Sequence, residues 1–184
     1  MDLTEAIFGR RATRHYSSAD VAEATLEGLI HAAVHAPSAL NGQPWAFTVV
    51  RDRALMGRLS RDAKAHLVAT SPAATDSLHG PMADEHFHIF YDAPVLILIS
   101  ATAEGPWVVE DCALAAQNLM LAAYAAGLGS CWIGSAQTYL NTREGKMALD
   151  MPAAWVSVAP IIIGHPTVVT ARVSRNLPLI RWVD

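Results

Sequence analysis

Five consecutive aliphatic residues, Val95-Leu96-Ile97-Leu98-Ile99, follow Pro94 with no polar side chain among them. A strand points successive side chains to opposite faces, so a run without alternation is apolar on both. It is therefore a central strand, and the sheet around it needs cover from both sides. The rest of the chain supplies helices to provide it. Leu26, Leu29, Ile30, Ala33 and Val34 recur at helical spacing and predict a helix over about Val21 to Ala36, behind Ser17-Ser18. Asp2 with Glu5 three residues on is a capping pattern that opens a short helix through about Gly9. Trp107 to Ala126 is the longest apolar run, but Glu110, Asp111, Gln117 and Asn118 would be costly in lipid. It reads as a buried helix of a soluble protein, closed by a left-handed cap at Gly127. Further helices are expected from Arg53 to about Ala69 and from Arg143 to Leu149. Strands are expected over Ala46 to Val50, Ser130 to Ile133 and Trp155 to Ile163. Helices and strands in this mixed order predict an α+β fold, a three-layer sandwich with a mixed central sheet between helices.

A chain of 184 residues makes one domain, 1–184, with a sizeable core. Hydrophobic residues at 52% against 16% charged favour a compact domain, or one that hides further apolar surface against a partner subunit. A formal charge of −4 gives no reason to expect nucleic acid or an anionic membrane as partner. Cys112 and Cys131 lie in apolar segments at no zinc spacing, which predicts buried thiols in a reducing compartment. Met1 to Glu5 lacks the basic and apolar stretches of a signal peptide, so a cytoplasmic protein is expected. Thr70 to Glu85, with Pro72, Gly80 and Pro81, reads as an irregular excursion within a lid over 66–92. The tail 167–184 carries Arg172, Arg175, Pro178, Arg181 and Trp182 and reads as an arm that packs on another subunit or closes a site.

Three stretches carry candidate chemistry. Pro37 and Pro44 stiffen the turn from Ala36 to Trp45, and Ser38, Asn41 and Gln43 between them offer donor and acceptor together. Such a loop suits a flat, uncharged heterocycle better than a phosphate or a metal. Arg10-Arg11-Ala12-Thr13-Arg14 places three guanidiniums at the end of the first helix; arginine forks match phosphate oxygens, and cations there also suit the helix dipole. Gly127 to Gly134 lacks the Walker lysine and the third glycine of a dinucleotide fingerprint, while Gly134 at a strand end lets backbone approach a ligand. His31 and His35 stand i,i+4 without the glutamate of a zinc-protease motif, so no metal site is expected. His86 and His88 alternate as on a strand and read as solvated surface histidines, with the lining of a substrate pocket as the alternative. Ser38 is in no nucleophile elbow, and Glu110 and Asp111, adjacent on a helix, read as N-terminal helix charge.

The three stretches in this order, with Glu110-Asp111, Gln117-Asn118-Leu119 and Ala159-Pro160-Ile161-Ile162-Ile163-Gly164-His165-Pro166, resemble the FMN-dependent nitroreductase family. The likeness spans nearly the whole chain apart from about Lys64 to His88. It implies a homodimer with FMN at the subunit interface and the C-terminal arm exchanged between subunits. Arg10, Arg11, Ala12 and Arg14 would hold the phosphate and ribityl chain, with Arg14 reaching the ring, and Arg172 and Arg175 returning from the arm. Pro37, Ser38, Asn41 and Gln43 would contact the isoalloxazine from the opposite subunit, and Trp132, Ile133 and Gly134 would border its reactive edge. The chemistry would belong to flavin N5, with no catalytic side chain and no metal. NADH or NADPH would be the reductant and a small flat nitroaromatic or quinone the acceptor. Sibling flavin chemistry (reductive dehalogenation, flavin fragmentation, ring dehydrogenation) and a non-enzymatic flavin-binding protein are the alternatives. Ala12 stands where the family usually has serine, a lost hydroxyl contact worth about 1 kcal/mol of FMN retention.

Overall fold

The computed structural model describes residues 2–70, 82, 84–171 and 173–183. Four strands form the sheet in the order β1-β2-β4-β3: β1 Trp45–Val50, β2 Val95–Ala101, β3 Gly129–Trp132 and β4 Val156–Gly164. All three ladders are antiparallel, and the parallel pairing of the expected mixed sheet is confined to one bridge, Ala12 to Ser130 beside β3.

Leu96, Ile97, Leu98 and Ile99 are fully buried, as a central strand requires. Their alternation divides the core. Val95, Ile97, Ile99 and Ala101 face a layer with α2 (Glu23–Ala33) and α4 (Val108–Ala125), which contributes Leu26, Leu29, Ala115, Ala116 and Leu119. Leu96 and Leu98 face α3 (Arg53–Thr70), α5 (Gly134–Leu140) and α6 (Arg143–Ala148), through Met56, Leu59, Ala136 and Leu140. Burying each such Leu or Ile contributes roughly 1.5–3 kcal/mol, so both helical layers are held mainly through this strand and β4.

Local signals set the boundaries. Asp2 accepts the Glu5 N–H and caps α1 (Leu3–Gly9). Gly127, at φ +75°, ends α4 with bonds from Leu128 N–H to Ala123 O and from Gly127 N–H to Tyr124 O, the paired pattern of a Schellman cap. The second helix is shorter than its periodicity suggests: it starts at Glu23 without a side-chain cap and stops at Ala33. Ser17 Oγ instead accepts the Ala19 N–H, a local turn that competes with capping. Helix α5 was not expected from sequence. It begins at Gly134, a weak helix former, and is stabilised by packing on α3 and β4.

Of the expected lid over 66–92, residues 66–70 belong to α3, while 71–81 and 83 lie outside the described residues, as does Arg172 of the arm. The stretch from Asp84 is tied down from beneath. The nearly buried Lys64 donates its Nζ protons to Asp84 O and Glu85 O, and Ser60 Oγ accepts the Ile89 N–H. His86 and His88 sit in turns rather than on a strand. His88 is half-buried: its Nδ1 accepts the Phe90 N–H, and burial first of all lowers its pKa. The described residues of the arm are all exposed and carry no regular structure. Among the described residues no helix is long and apolar enough to cross a membrane.

Candidate functional site

The segment after α1 passes extended beside β3 and meets it at one isolated bridge. Thr13 N–H donates to Ser130 O at 3.0 Å, and Ala12 forms the parallel bridge. This close approach depends on Gly129, where a Cβ would stand 2.6 Å from Thr13 Cγ2 and 2.7 Å from its Cβ. Tyr16 fixes the far end, its hydroxyl donating to Thr13 O at 2.7 Å. Arg10 and Arg14 are thereby held beside β3, and both bear electrostatically on the thiol of Cys131. Burial pushes that thiol up from its ordinary pKa, and the two guanidiniums oppose the rise. Arg10 is itself lowered, first by burial and then by Arg11, with Arg175 of the arm adding repulsion. Arg10 and Arg14, on one segment and without a carboxylate partner among the described residues, suit an anion.

Arg11 departs from the expected set. Its Nη1 donates to Phe8 O at 2.8 Å and to Arg10 O at 2.7 Å, which satisfies carbonyls at the end of α1. The side chain lines a separate cavity with Tyr124, Leu128 and Pro166 rather than the one Arg14 lines. Local geometry is the reason: alternate residues of an extended segment point to opposite sides. Thr13 does not replace the hydroxyl missing at Ala12, because its N–H is engaged by Ser130 and its side chain is buried against Gly129. Arg11 Nε and Ser130 Oγ, flanking the Ala12–Ser130 bridge, are buried without a partner among the described residues.

Arg14 opens onto a cavity of about 180 Å³ whose floor is Cys131, Trp132, Ile133, Gly134 and Ser135. A Cβ built on Gly134 would meet nothing within 4 Å, so space lies open in front of its backbone. The opposite wall comes from Phe87, Ile89 and Tyr91. These residues lie in the segment expected as a lid over 66–92, though nothing in their spacing singled them out individually.

The Ala36–Trp45 loop is rigid but distant from this cavity. Ser38 Oγ accepts the Gln43 N–H at 3.0 Å, and Gln43 Nε2 donates to Asn41 Oδ1 at 3.1 Å. Leu40, Asn41 and Gln43 all hold positive φ near +50°, a sparsely populated region that the hydrogen bonds must impose. Ala39 N–H donates to Asp111 Oδ1 at 3.0 Å, across 72 residues of sequence. Asp111 stands in the first turn of α4, as expected of N-terminal helix charge, and at 5% exposed it is also a buried anchor for the loop. Pro37, Asn41 and Gln43 are exposed, and Ser38 is partly so. The loop leads into edge strand β1, whereas the arginines lie beyond the other edge, β3. At about 4.8 Å per strand, the sheet separates them by roughly 19 Å. Within one chain, the neutral loop and the cationic segment are not brought together.

Cys112 and Cys131 are buried and unpaired, as expected. Trp45 and Trp132 are partly buried and pack against the α2–α4 side of the core. No group of three or more metal-ligating side chains occurs among the described residues.

A provisionally named NADH dehydrogenase/NAD(P)H nitroreductase of Archaeoglobus fulgidus is 31% identical over 165 residues, covering 90% of this chain and 86% of that protein. The 5,6-dimethylbenzimidazole synthase of Rhodospirillum rubrum is 30% identical over 178 residues, covering 90% and 82%. Among solved structures, an FMN-bound nitroreductase of Bacteroides fragilis superposes with a TM-score of 0.88 over 100% of both chains at 24% identity, which speaks for the fold. Residues 7–165 match the Nitroreductase family, and the chain belongs to it.

Proposed function

We propose that the protein is an FMN-dependent oxidoreductase. The carrying observation is that the segment bearing Arg10 and Arg14 lies along one sheet edge, beside the open backbone face at Gly134. The residues present fit FMN: guanidiniums match a phosphate, and a glycine backing a cavity accepts a flat ring. Arg10 and Arg175 would hold the phosphate, Arg14 would reach the ring, and the backbone at Ile133 and Gly134 would border it. Arg11 would act through the turn it caps rather than by direct contact. Phe87, Ile89 and Tyr91 would exclude water and select acceptors by shape. FMN, when bound, would supply two-electron chemistry, taking a hydride from NADH or NADPH and reducing a flat acceptor such as a nitroaromatic or quinone in alternating half-reactions. No side chain is assigned as general acid or base.

The working unit we propose is a homodimer in the cytoplasm. Pro37, Ser38, Asn41 and Gln43 would serve the site of the neighbouring subunit, since their own chain holds them across the sheet from its arginines. Leu3, Ile7 and Phe8 on α1 and Trp107, Val109 and Leu114 at α4 are exposed apolar side chains that such a partner would cover. So are Leu177, Leu179, Ile180 and Trp182 of the arm, which we propose is exchanged. The buried, unpaired thiols suit a reducing compartment.

Titration with FMN, followed by anaerobic reduction with NADH or NADPH and reoxidation by a panel of acceptors, tests the reading. Protein that stays colourless refutes it. A monomer by light scattering at micromolar concentration with FMN bound refutes the dimer. The resemblance to a 5,6-dimethylbenzimidazole synthase and, at 27% identity, to the iodotyrosine deiodinase of Thermotoga neapolitana favours sibling flavin chemistry as the second reading. Turnover of halogenated but not nitro or quinone substrates, or loss of the flavin itself in air, would select it.

A further inference from the structure

Arg14 is exposed and lines the cavity, yet among the described residues it has no carboxylate or carbonyl partner. Its one close companion is the ring of Tyr91, with the guanidinium carbon 5.8 Å from the ring centroid, within cation–π range. Tyr91 does not lie there by default. It holds φ +51° and Asp92 φ +52°, a conformation that bulky residues rarely adopt. The turn is enforced by Tyr91 N–H to His88 O at 2.8 Å and Ala93 N–H to Phe90 O at 3.0 Å. Phe87 then braces the ring edge-on, with centroids 5.5 Å apart and planes at 83°. A strained residue, supported on one side by an aromatic and facing an otherwise unpartnered cation on the other, has a geometry that backbone economy does not explain.

We propose that Tyr91 is a positioning residue: its ring holds the Arg14 guanidinium over the cavity, poised for an electron-rich edge of a flat ligand. The proposal rests on the FMN reading, in which Arg14 reaches the ring. A flexible arginine loses side-chain entropy when it binds, and a partner that restricts it beforehand lowers that cost. Because a cation beside the ring favours the electron-rich reduced form more than the oxidised form, Tyr91 also bears on the reduction potential, through Arg14 alone.

The test uses the full-length protein and FMN, read by fluorescence quenching and by spectroelectrochemical potential. A cation–π contact of this kind corresponds to about a two- to fivefold change in affinity. Tyr91→Leu is expected to weaken FMN binding by about that factor. If the same factor separates reduced from oxidised FMN, the two-electron potential falls by about 10–20 mV. Tyr91→Phe, which keeps the ring, should retain wild-type values for both. In an Arg14→Gln background, Tyr91→Leu should have no further effect, since coupled residues fail to add. Three results would overturn the proposal while FMN still binds the wild type. These are an unchanged Tyr91→Leu, a Tyr91→Phe as impaired as Tyr91→Leu, or an undiminished effect in the Arg14→Gln background. Failure of the wild type to bind FMN would overturn the cofactor reading itself, and the positioning role with it.

Discussion

Replacing Gly129 with alanine tests how the arginine segment is held. The new Cβ would sit 2.6 Å from Thr13 Cγ2, 2.7 Å from Thr13 Cβ and 2.8 Å from Thr13 Oγ1. Normal carbon–carbon contact needs about 3.5 Å, so the two segments must separate by on the order of 0.8 Å. Rotating the Thr13 side chain does not help, because its Cβ is fixed to the backbone and is itself too close. The separation stretches the 3.0 Å bond from Thr13 N–H to Ser130 O beyond useful length. Overpacking and the weakened hydrogen bond together cost about 2–5 kcal/mol. For a domain of this size that lowers Tm by roughly 5–15 °C. FMN affinity should fall as well, since Arg10 and Arg14 ride on the displaced segment. The discriminating control is at position 13. Adding Thr13→Ala to Gly129→Ala leaves the offending Cβ and should give little relief, whereas Thr13→Gly removes it and should restore much of the loss. Thermal unfolding of the four proteins, with and without FMN, reads this directly. A Gly129→Ala protein within a degree of the wild type, or equal rescue by alanine and glycine at position 13, would refute the reasoning.

Three further outcomes are expected. Asp111→Ala removes the buried acceptor of the Ala39 N–H, and a hydrogen bond to a charged group contributes about 1.5–3 kcal/mol; denaturant unfolding should register that loss, and amide exchange should quicken at Ala39. Asn41→Ala, at φ +55° and with its Oδ1 accepting from Gln43, should cost about 1 kcal/mol, a Tm drop of about 2–4 °C, and should also weaken FMN binding and shift the flavin spectrum; an unaltered spectrum would remove Asn41 from the site. The Tyr139 phenol, which donates to Asp62 at 3.1 Å, is pushed up to about 12 by burial first and by Asp62 second. Native protein therefore holds this proton more tightly than unfolded protein, so the contribution is intact below about pH 10 and is lost as pH rises toward 12. Tyr139→Phe should flatten stability across that window, as followed by denaturant unfolding at a series of pH values.

Most of the layer plan was legible because it rests on burial, and burial leaves a direct mark on sequence. The unbroken run from Val95 to Ile99 meant cover on both faces, and its odd and even members do face two different helical layers. Gly127 announced its own left-handed cap. What escaped notice depends on contacts between segments far apart in the chain. Asp111 does stand in the first turn of α4, but its second role as the anchor of the loop escaped because nothing at positions 108–114 mentions Ala39. Helix α5 opens with a glycine and is paid for by packing on α3 and β4, which propensity does not record. Arg11 was grouped with Arg10 as a phosphate ligand because adjacency in sequence hides the alternation that sends it to the other side of the segment. The expected lid over 66–92 includes Phe87, Ile89 and Tyr91, but no motif singled them out, and only the fold brings them to the cavity of Gly134.

The separation of the neutral loop and the arginines to opposite margins of one sheet has a genetic consequence. In a two-fold dimer each site would draw its loop from one chain and its arginines from the other. A chain defective at Asn41 and a chain defective at Arg10 would therefore complement each other: a mixed dimer holds one site with both lesions and one with neither. After random subunit exchange at equal amounts, about one site in four is whole, though neither parent has any. Activity that appears only on mixing two inactive proteins would be the signature of a site shared between chains.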